Sequence, residues 1–181
     1  MVDPRNKPAY DFRTLLTHRI LVLSNTFGKG AMRLYAQQYG IQLAEWRLLA
    51  ALMTESAPDS VNDLATALGT DKGWISRTAA ALVKKGLAAT VPERSDGRRF
   101  RIVVTPAGRR IYDRILPAAI ERQRRLVSVL TEDELASLNV MIDKLQRQAD
   151  ALIADTRTDE ATRGPAPAGK RRASAKAAGR R

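Results

Sequence analysis

A short polar segment that starts at Lys72 carries the side chains best suited to binding a nucleic acid. Lys72, Ser76 and Arg77 offer hydrogen-bond donors close together in the chain, and these residue types contact base edges and phosphates in protein–DNA complexes. Gly73 lets the backbone approach a ligand closely, and Trp74 adds an apolar ring. If the segment begins a helix, its first residues are placed like those of a helix that enters the major groove.

A second basic group follows in the chain, where Asp96 precedes Gly97. Asp-Gly is a strong signal for a tight turn between strands, and the flanking runs at residues 87–91 and 100–105 are better explained as strands than as helices. We therefore predict a β-hairpin, whose basic tip suits the negative potential of a narrow minor groove. The alternative is an ordinary solvated turn. The tip carries Arg94, Asp96, Arg98 and Arg99.

Two short helices joined by a glycine turn would present the polar segment. Ser60 can cap the first helix, which has the i, i+3, i+4, i+7 apolar spacing of an amphipathic helix. Gly69 and Thr70 form the turn before the second helix, predicted at residues 72–85. This order predicts a helix-turn-helix, although adjacent amphipathic helices are common in other helical proteins. The predicted buried residues are Val61, Leu64, Ala65 and Leu68 in the first helix and Ile75, Ala79, Leu82 and Val83 in the second.

The remaining body is also predicted to be helical. Thr105 can cap a helix with Pro106 at its first position, and Pro117 is expected to kink that helix. Thr131 and Glu134 form a capping box at the start of a last helix. The expected fold class is therefore mainly α with a small β-hairpin (α+β). These further helices are predicted at residues 11–38, 43–55, 106–130 and 131–153.

The composition excludes several classes of protein. The chain has no cysteine and a single histidine, His18, which leaves no basis for a thiolate site or a histidine-rich metal site. It has no GxSxG, P-loop or HExxH motif, and the acidic residues 132–134 suit a helix N-terminus. We expect no enzyme activity, no metal and no cofactor. No apolar run is long enough to span a membrane and no signal peptide is evident, so we expect a cytoplasmic protein.

The net charge is +12 at pH 7, which indicates a polyanionic partner. Charge alone does not separate a nucleic acid from an anionic membrane surface. Half of the excess lies in residues 156–181, which hold eight basic and two acidic side chains and almost no large apolar residue. Such a segment buries too little apolar area to offset its ordering entropy. We predict a disordered tail that either binds nucleic acid nonspecifically or only aids solubility.

The chain from Leu43 to Leu152 resembles the MarR family of bacterial transcriptional regulators. The resemblance covers well over half of the chain, and its most specific part is the hairpin pattern with Thr-x-x-Gly after the second strand. The segments that carry it are L-A-E-W-R-L-L-A-A-L (43–52), D-L-A-T-A-L-G-T-D-K-G-W-I-S-R (63–77), L-V-K-K-G-L (82–87), D-G-R-R-F-R-I-V-V-T-P-A-G (96–108) and L-T-E-D-E-L-A-S-L (130–138).

The resemblance implies a winged helix-turn-helix and roles for individual residues. Asp96 and Arg98 occupy the positions of a pair that organises the wing, and Ser76 and Arg77 fall at recognition-helix positions. Trp74 stands where the family usually has a small polar residue, so its ring either contacts a thymine methyl or a sugar or folds back onto the protein. The predicted DNA contacts are Ser60, Thr70, Lys72, Gly73, Trp74, Ser76, Arg77, Arg94, Asp96, Arg98 and Arg99.

The resemblance also implies a symmetric homodimer formed by the first and last helices, and the abundance of apolar residues in both helices agrees with it. Two recognition helices about one DNA turn apart, roughly 34 Å, predict a palindromic operator in double-stranded DNA. The expected organisation is a flexible segment at 1–10, a winged-helix domain at 11–155 and the tail at 156–181. Within that domain, residues 41–106 contact DNA and residues 11–38 and 107–155 form the dimer.

Many members of that family release DNA when a small aromatic anion binds, which implies a ligand-responsive repressor located at the nucleoid. Alternatives are a regulator with no effector and an architectural nucleoid protein that binds through its basic tail. For each candidate effector contact a purely structural role is the simpler alternative, above all for Trp46 as a core aromatic. The candidates are His18, Asn25, Arg33, Trp46 and Tyr112.

Overall fold

The computed structural model describes residues 11–54, 60–92 and 100–163, with only the helical backbone for residues 157–163. It is mainly helical with one two-stranded antiparallel hairpin, which confirms the predicted fold class. A short 3-10 helix at Phe12–Thr14 precedes the other elements. These are α1 (Leu16–Tyr39), α2 (Leu43–Leu52), α3 (Val61–Ala67), α4 (Lys72–Lys84), β1 (Ala88–Pro92), β2 (Phe100–Val104), α5 (Pro106–Val127) and α6 (Glu132–Arg163).

Local caps begin several of the helices, as the sequence predicts. The Ser60 hydroxyl accepts a hydrogen bond from the Asp63 amide at 3.1 Å and so caps α3. The Thr105 hydroxyl accepts one from the Gly108 amide at 3.1 Å at the start of α5. At α6, the Thr131 amide donates to the Glu134 carboxylate at 2.8 Å, and the Glu134 amide donates back to the Thr131 hydroxyl at 3.2 Å. These caps satisfy donors that the first turn leaves free.

One apolar core joins α2, α3 and α4 and includes a residue of α5. Its fully buried side chains are Ile41, Leu48, Leu49, Leu64, Ile75, Leu82 and Ile115. The stripe predicted for α4 is correct at Ile75, Ala79 and Leu82 and wrong at Val83, which is 39% exposed. Thr78 is buried instead. A helix turns about 100° per residue, so Val83 lies well to one side of a stripe centred on Leu82.

The hairpin packs on this core through one face. β1 and β2 pair in register from Ala88 opposite Val104 to Pro92 opposite Phe100, and Ala88 and Ile102 are buried. The start of α5 lies very close to the chain before β1, because a Cβ on Gly108 would overlap the carbonyl oxygen of Leu87. A glycine is therefore required there.

Several predicted helix ends differ from the structure. α2 ends at Leu52 and α5 at Val127, both earlier than expected, whereas α6 continues past residue 153 to Arg163. The prediction of a disordered tail from residue 156 is therefore wrong for residues 156–163. The physical reason is that no glycine or proline occurs in α6 before Gly164, so nothing in the sequence stops the helix. Residues 1–10 and 164–181 lie outside the described residues.

The chain divides into two compact units, one that ends at Gln123 and one that begins at Arg124. The first holds the core, α1 to α4 and the hairpin. The second holds α6, in which every described side chain except the half-buried Leu135 is exposed. Among the described helices none is long and apolar enough to cross a membrane.

Candidate nucleic-acid interface

The N-terminal end of α4 presents polar side chains to solvent. Asp71 precedes the helix, and its Oδ1 accepts a hydrogen bond from the Trp74 amide at 2.7 Å. This cap fixes where the helix begins. Lys72, Ser76 and Arg77 are exposed, while Ile75 is fully buried in the core. One face of the first turns of α4 therefore holds the helix in the fold, and the other is open to a ligand.

Gly73 leaves room for two neighbouring side chains. A Cβ at this position would lie 2.9 Å from Asp71 Oδ1 and 3.0 Å from Arg77 Nη1, both closer than ordinary contact. The Arg77 guanidinium is therefore folded along the first turn of α4, next to the capping carboxylate. The guanidinium is thus close to the N-terminal end of α4, where it could donate hydrogen bonds to a ligand that approaches this end.

Trp74 folds back onto the protein, which is one of the two orientations left open by the sequence. Its ring is half-buried and packs against the core. The guanidinium carbon of Arg47 lies 5.7 Å from the centre of the ring, within the range of a cation–π contact. Any contact between Trp74 and DNA would have to use the exposed part of the ring.

The other predicted contacts lie at the start of α3, in the turn and in the hairpin. Ser60 is half-buried, and its hydroxyl caps α3 and donates to Asp63 Oδ2 at 2.6 Å. Thr70 is half-buried in the α3–α4 turn, where its amide donates to the Ala65 carbonyl at 2.9 Å. The four residues predicted at the tip of the hairpin lie outside the described residues: Arg94, Asp96, Arg98 and Arg99.

Sequence reasoning missed an ion pair at the C-terminal end of α4, formed by an exposed lysine and a buried carboxylate. Lys85 is the C-cap residue of α4. Its ammonium donates to Glu45 Oε2 at 2.6 Å and to the Gly40 carbonyl at 2.9 Å. Glu45 Oε2 also accepts from the Gln42 amide at 2.6 Å and closes a capping box on α2. Glu45 is only 4% exposed. The Gln-x-x-Glu spacing signals the cap, but no local pattern signals the distant lysine.

An aromatic cluster joins α1, α2 and α5, and it includes two of the candidate effector residues. The rings of Trp46 and Tyr112 are stacked, with centres 5.5 Å apart and planes at 21°. Tyr35, which the sequence reasoning missed, lies 5.6 Å from Trp46. Burial raises the pKa of the Tyr35 phenol, and the positive charge of Arg122 opposes that shift. Arg122 donates to the Phe27 carbonyl at 2.6 Å, and its effect on Tyr35 places its charge near that member of the cluster.

The three other effector candidates lie at separate positions along α1. The His18 ring packs edge-on against Phe12, with centres 4.8 Å apart, and Asn25 is exposed. Arg33 lines an open depression of about 460 Å³ together with Lys29, Gly30 and Met32. Of the five candidates, only Trp46 and Tyr112 are in ring contact with each other.

A family model and a solved structure both relate the chain to the MarR family. A model of the MarR family matches residues 39–99. A MarR/EmrR family transcriptional regulator from Acinetobacter sp. ADP1 is 32% identical over 75% of this chain and 94% of its own, with a TM-score of 0.69. No curated protein matches the chain.

Two more distant structures share the fold. MepR of S. aureus, solved as a DNA complex, is 20% identical over 77% of this chain and 99% of its own, with a TM-score of 0.68. The PcaV transcriptional regulator of Streptomyces coelicolor, solved with its natural ligand, is 24% identical over 81% of this chain and 99% of its own, with a TM-score of 0.63.

Proposed function

Because the chain belongs to the MarR family of DNA-binding transcriptional regulators, we propose that it represses transcription from a palindromic operator as a homodimer and releases DNA when a small aromatic anion binds. Its place of action is the nucleoid, where the operator lies. This function requires no catalysis and no cofactor from the chain.

The single observation that carries the proposal is the two-sided character of α4. Its buried side chains fix it in the core, while Lys72, Ser76 and Arg77 are exposed at its N-terminal end. In a helix-turn-helix, this end of the second helix reaches base edges in the major groove. Arg77 is suited to a bidentate contact with guanine, whereas Lys72 is suited to a phosphate. The basic hairpin tip would contact the adjacent minor groove.

The homodimer is supported by apolar residues that each unit leaves exposed. α1 exposes Leu16, Ile20, Leu21, Val22 and Leu23, and α6 exposes Leu138, Val140, Met141, Ile142, Leu145, Leu152 and Ile153. Monomeric proteins rarely keep apolar surfaces of this extent in water. We propose that a second copy of the chain covers both helices, because an isologous contact repeats the same apolar surface on each partner.

The ligand response is supported by the aromatic cluster and the charge beside it. Trp46 is buried in the core and the half-buried Tyr112 stacks on it, so a flat ligand would contact the exposed part of the Tyr112 ring. Arg122, whose positive charge acts on Tyr35, favours a negative ligand. PcaV, which shares the fold, was solved with its natural ligand. A ligand shifts DNA binding only if it prefers one arrangement of the dimer. The predicted contacts with His18, Asn25 and Arg33 remain part of this proposal.

The experiment compares two duplexes of equal length and composition. One is enriched from a random library by the wild-type protein, and the other is its shuffled counterpart. The proposed function predicts that the enriched sequence is palindromic and binds more tightly than the shuffled one by about a thousandfold or more. Added salt should weaken both complexes while the enriched duplex stays strongly preferred.

Truncation after Arg163 separates this function from that of an architectural protein. The basic residues beyond Arg163 give the whole chain extra affinity for any duplex. The truncated protein should therefore bind both duplexes more weakly and keep its preference for the enriched one. If the preference disappears with the tail, an architectural protein that binds through its tail is the better account.

A further inference from the structure

α2 contacts both ends of α4 through two residues that stand two positions apart, Glu45 and Arg47. Each residue of an α-helix turns by about 100°, so residues two apart point to nearly opposite sides. Glu45 reaches the C-terminal end of α4 and Arg47 reaches its N-terminal end. The two side chains therefore extend from α2 toward opposite ends of α4.

At the C-terminal end the contact is an ion pair between a buried carboxylate and a lysine whose side chain is 36% exposed. The Lys85 ammonium donates to the Glu45 carboxylate at 2.6 Å, and the same group donates to the Gly40 carbonyl at 2.9 Å. Since Glu45 is almost completely buried, water does not easily replace the ammonium if Lys85 moves away. The end of α4 is thereby tied to the start of α2 and to the end of α1.

At the N-terminal end one guanidinium makes two contacts. Arg47 Nη2 donates a hydrogen bond of 2.8 Å to the carbonyl of Leu68, which is the C-cap residue of α3. Its guanidinium carbon lies 5.7 Å from the centre of the Trp74 ring, in the first turn of α4. A planar guanidinium can donate at its edge and stack with its face. Arg47 is exposed, and through these two contacts it links the end of α3 to the start of α4.

Apolar packing between α2 and α4 sets approximately how the two helices cross. Leu48 and Leu49 of α2 and Ile75 and Leu82 of α4 are fully buried in the same core, and interlocked side chains define the angle between packed helices to within about 15–20°. Hydrogen bonds are directional and weaken steeply when their geometry changes. The polar contacts at both ends therefore add a directional restraint on the tilt of α4 within the range that packing leaves open.

We propose that Glu45, Arg47, Trp74 and Lys85 form a two-ended brace that sets the tilt of α4 in the major groove. These four are positioning residues, because they act on base discrimination through the placement of Ser76 and Arg77. The inference rests on the proposed role of α4 as the DNA-reading helix. Trp46 lies between the two brace residues of α2 and stacks on Tyr112, so a ligand that displaces α2 at that cluster would move both ends of α4.

The first test uses two neighbouring lysines of α4. Lys84 is exposed and makes no ion pair or hydrogen bond in the described part of the chain, whereas Lys85 holds the brace. Lys84→Met and Lys85→Met each remove one positive charge, so both should lose a similar part of their affinity for the shuffled duplex. The brace predicts that only Lys85→Met lowers the ratio of enriched to shuffled affinity, by about tenfold. Lys85→Arg should restore most of the ratio.

A second variant controls for the unpaired Glu45 carboxylate that Lys85→Met leaves behind. Lys85→Met leaves Glu45 buried without its partner, which destabilises the fold. Glu45→Gln combined with Lys85→Met removes that charge and should fold, as the melting temperature and circular dichroism would show. The brace predicts that the double variant is folded and still has the lowered ratio. A folded double variant with the wild-type ratio would overturn it.

The other end is tested by a double-mutant cycle on Arg47→Met and Trp74→Leu. If the two residues act as one contact, the loss of ratio in the double variant should be close to that of either single variant. Trp74→Phe, which keeps an aromatic face, should retain more of the ratio than Trp74→Leu. Additive losses would show two independent roles and contradict the brace at this end.

The outcomes separate the brace from the proposed function. If the wild-type protein prefers the enriched duplex and Lys85→Met has the same ratio as Lys84→Met, the brace is wrong and the proposed function stands. If the wild-type protein shows no preference for any duplex, the proposed function fails and the brace fails with it.

Discussion

α4 and α6 differ in what covers their apolar side chains. Both helices carry apolar side chains, but α4 buries Ile75, Ala79 and Leu82 within its own chain. α6 is longer, yet its described side chains are exposed except for the half-buried Leu135. α4, the proposed DNA-reading helix, is thus held by contacts inside one chain, whereas we propose that a second copy covers the apolar residues of α6. Substitutions should therefore destabilise the fold at α4 and the dimer at α6.

The largest expected effect comes from the buried face of α4. Ile75→Ala should lower the free energy of unfolding by about 2–5 kcal/mol, because a fully buried side chain is replaced by a cavity. Ser76→Ala, at the neighbouring exposed position, should change it by no more than about 0.5 kcal/mol. Urea denaturation at one fixed protein concentration measures both. Equal losses at Ile75 and Ser76 would show that α4 is not held by its apolar stripe.

At α6 we expect dissociation of the dimer. Leu145→Asp places a charge on the exposed apolar surface and should cost about 2–4 kcal/mol of dimer free energy, as at a central interface residue. Gln148→Asp adds the same charge at an exposed polar position and is the matched control. Sedimentation velocity should show a one-chain mass only for Leu145→Asp at low micromolar concentration. If the wild-type protein sediments as a single chain, no second copy covers α6 and the proposed difference between α4 and α6 is wrong.

On the exposed face of α4, the effect should be on DNA binding and not on stability. Arg77→Ala should weaken binding to the enriched duplex by about 1–3 kcal/mol and relax the preference at one base position. Lys72→Ala should weaken binding to enriched and shuffled duplexes alike, because a phosphate contact carries no sequence information. Fluorescence anisotropy with both duplexes distinguishes the two patterns. A uniform loss for Arg77→Ala would assign that residue to the phosphates.

The smallest effect is expected at Gly73, where binding should change more than stability. Gly73→Ala should change the free energy of unfolding by less than about 0.5 kcal/mol, since the preference of alanine for a helix is opposed by the close approach of the new Cβ to the Asp71 oxygen that caps α4. The added Cβ would meet the Arg77 guanidinium and the Asp71 carboxylate, so affinity for the enriched duplex should fall by about 0.5–1 kcal/mol as Arg77 shifts. Melting curves and anisotropy are the two measurements. A variant with unchanged affinity would show that the folded position of Arg77 is unimportant.

Most of the secondary structure could be predicted because its signals are local. Ser60, Thr105 and the pair Thr131 and Glu134 cap helices at the expected positions, since a cap depends on residues within one turn. The hairpin strands pair near the expected residues. The end of α6 predicted at residue 153 is too early, because the composition changes near residue 156 whereas the first glycine or proline after the start of α6 is Gly164.

Contacts between distant parts of the chain could not be predicted in this way. The pair of Glu45 and Lys85 and the contact of Arg47 with Trp74 depend on how α2 crosses α4. No spacing within either helix encodes that crossing. For the same reason Tyr35 was overlooked beside Trp46. The sequence indicated which polar residues of α4 are exposed, but only the structure shows which contacts position the helix.

The central claim is that the exposed end of α4 discriminates between bases. It is tested most directly by replacing every base pair of the enriched duplex in turn and measuring binding by wild-type protein and by Arg77→Ala. The account predicts that the variant loses preference at two symmetry-related positions, one in each half-site, about one DNA turn or roughly 34 Å apart. Identical base profiles for the two proteins would contradict it.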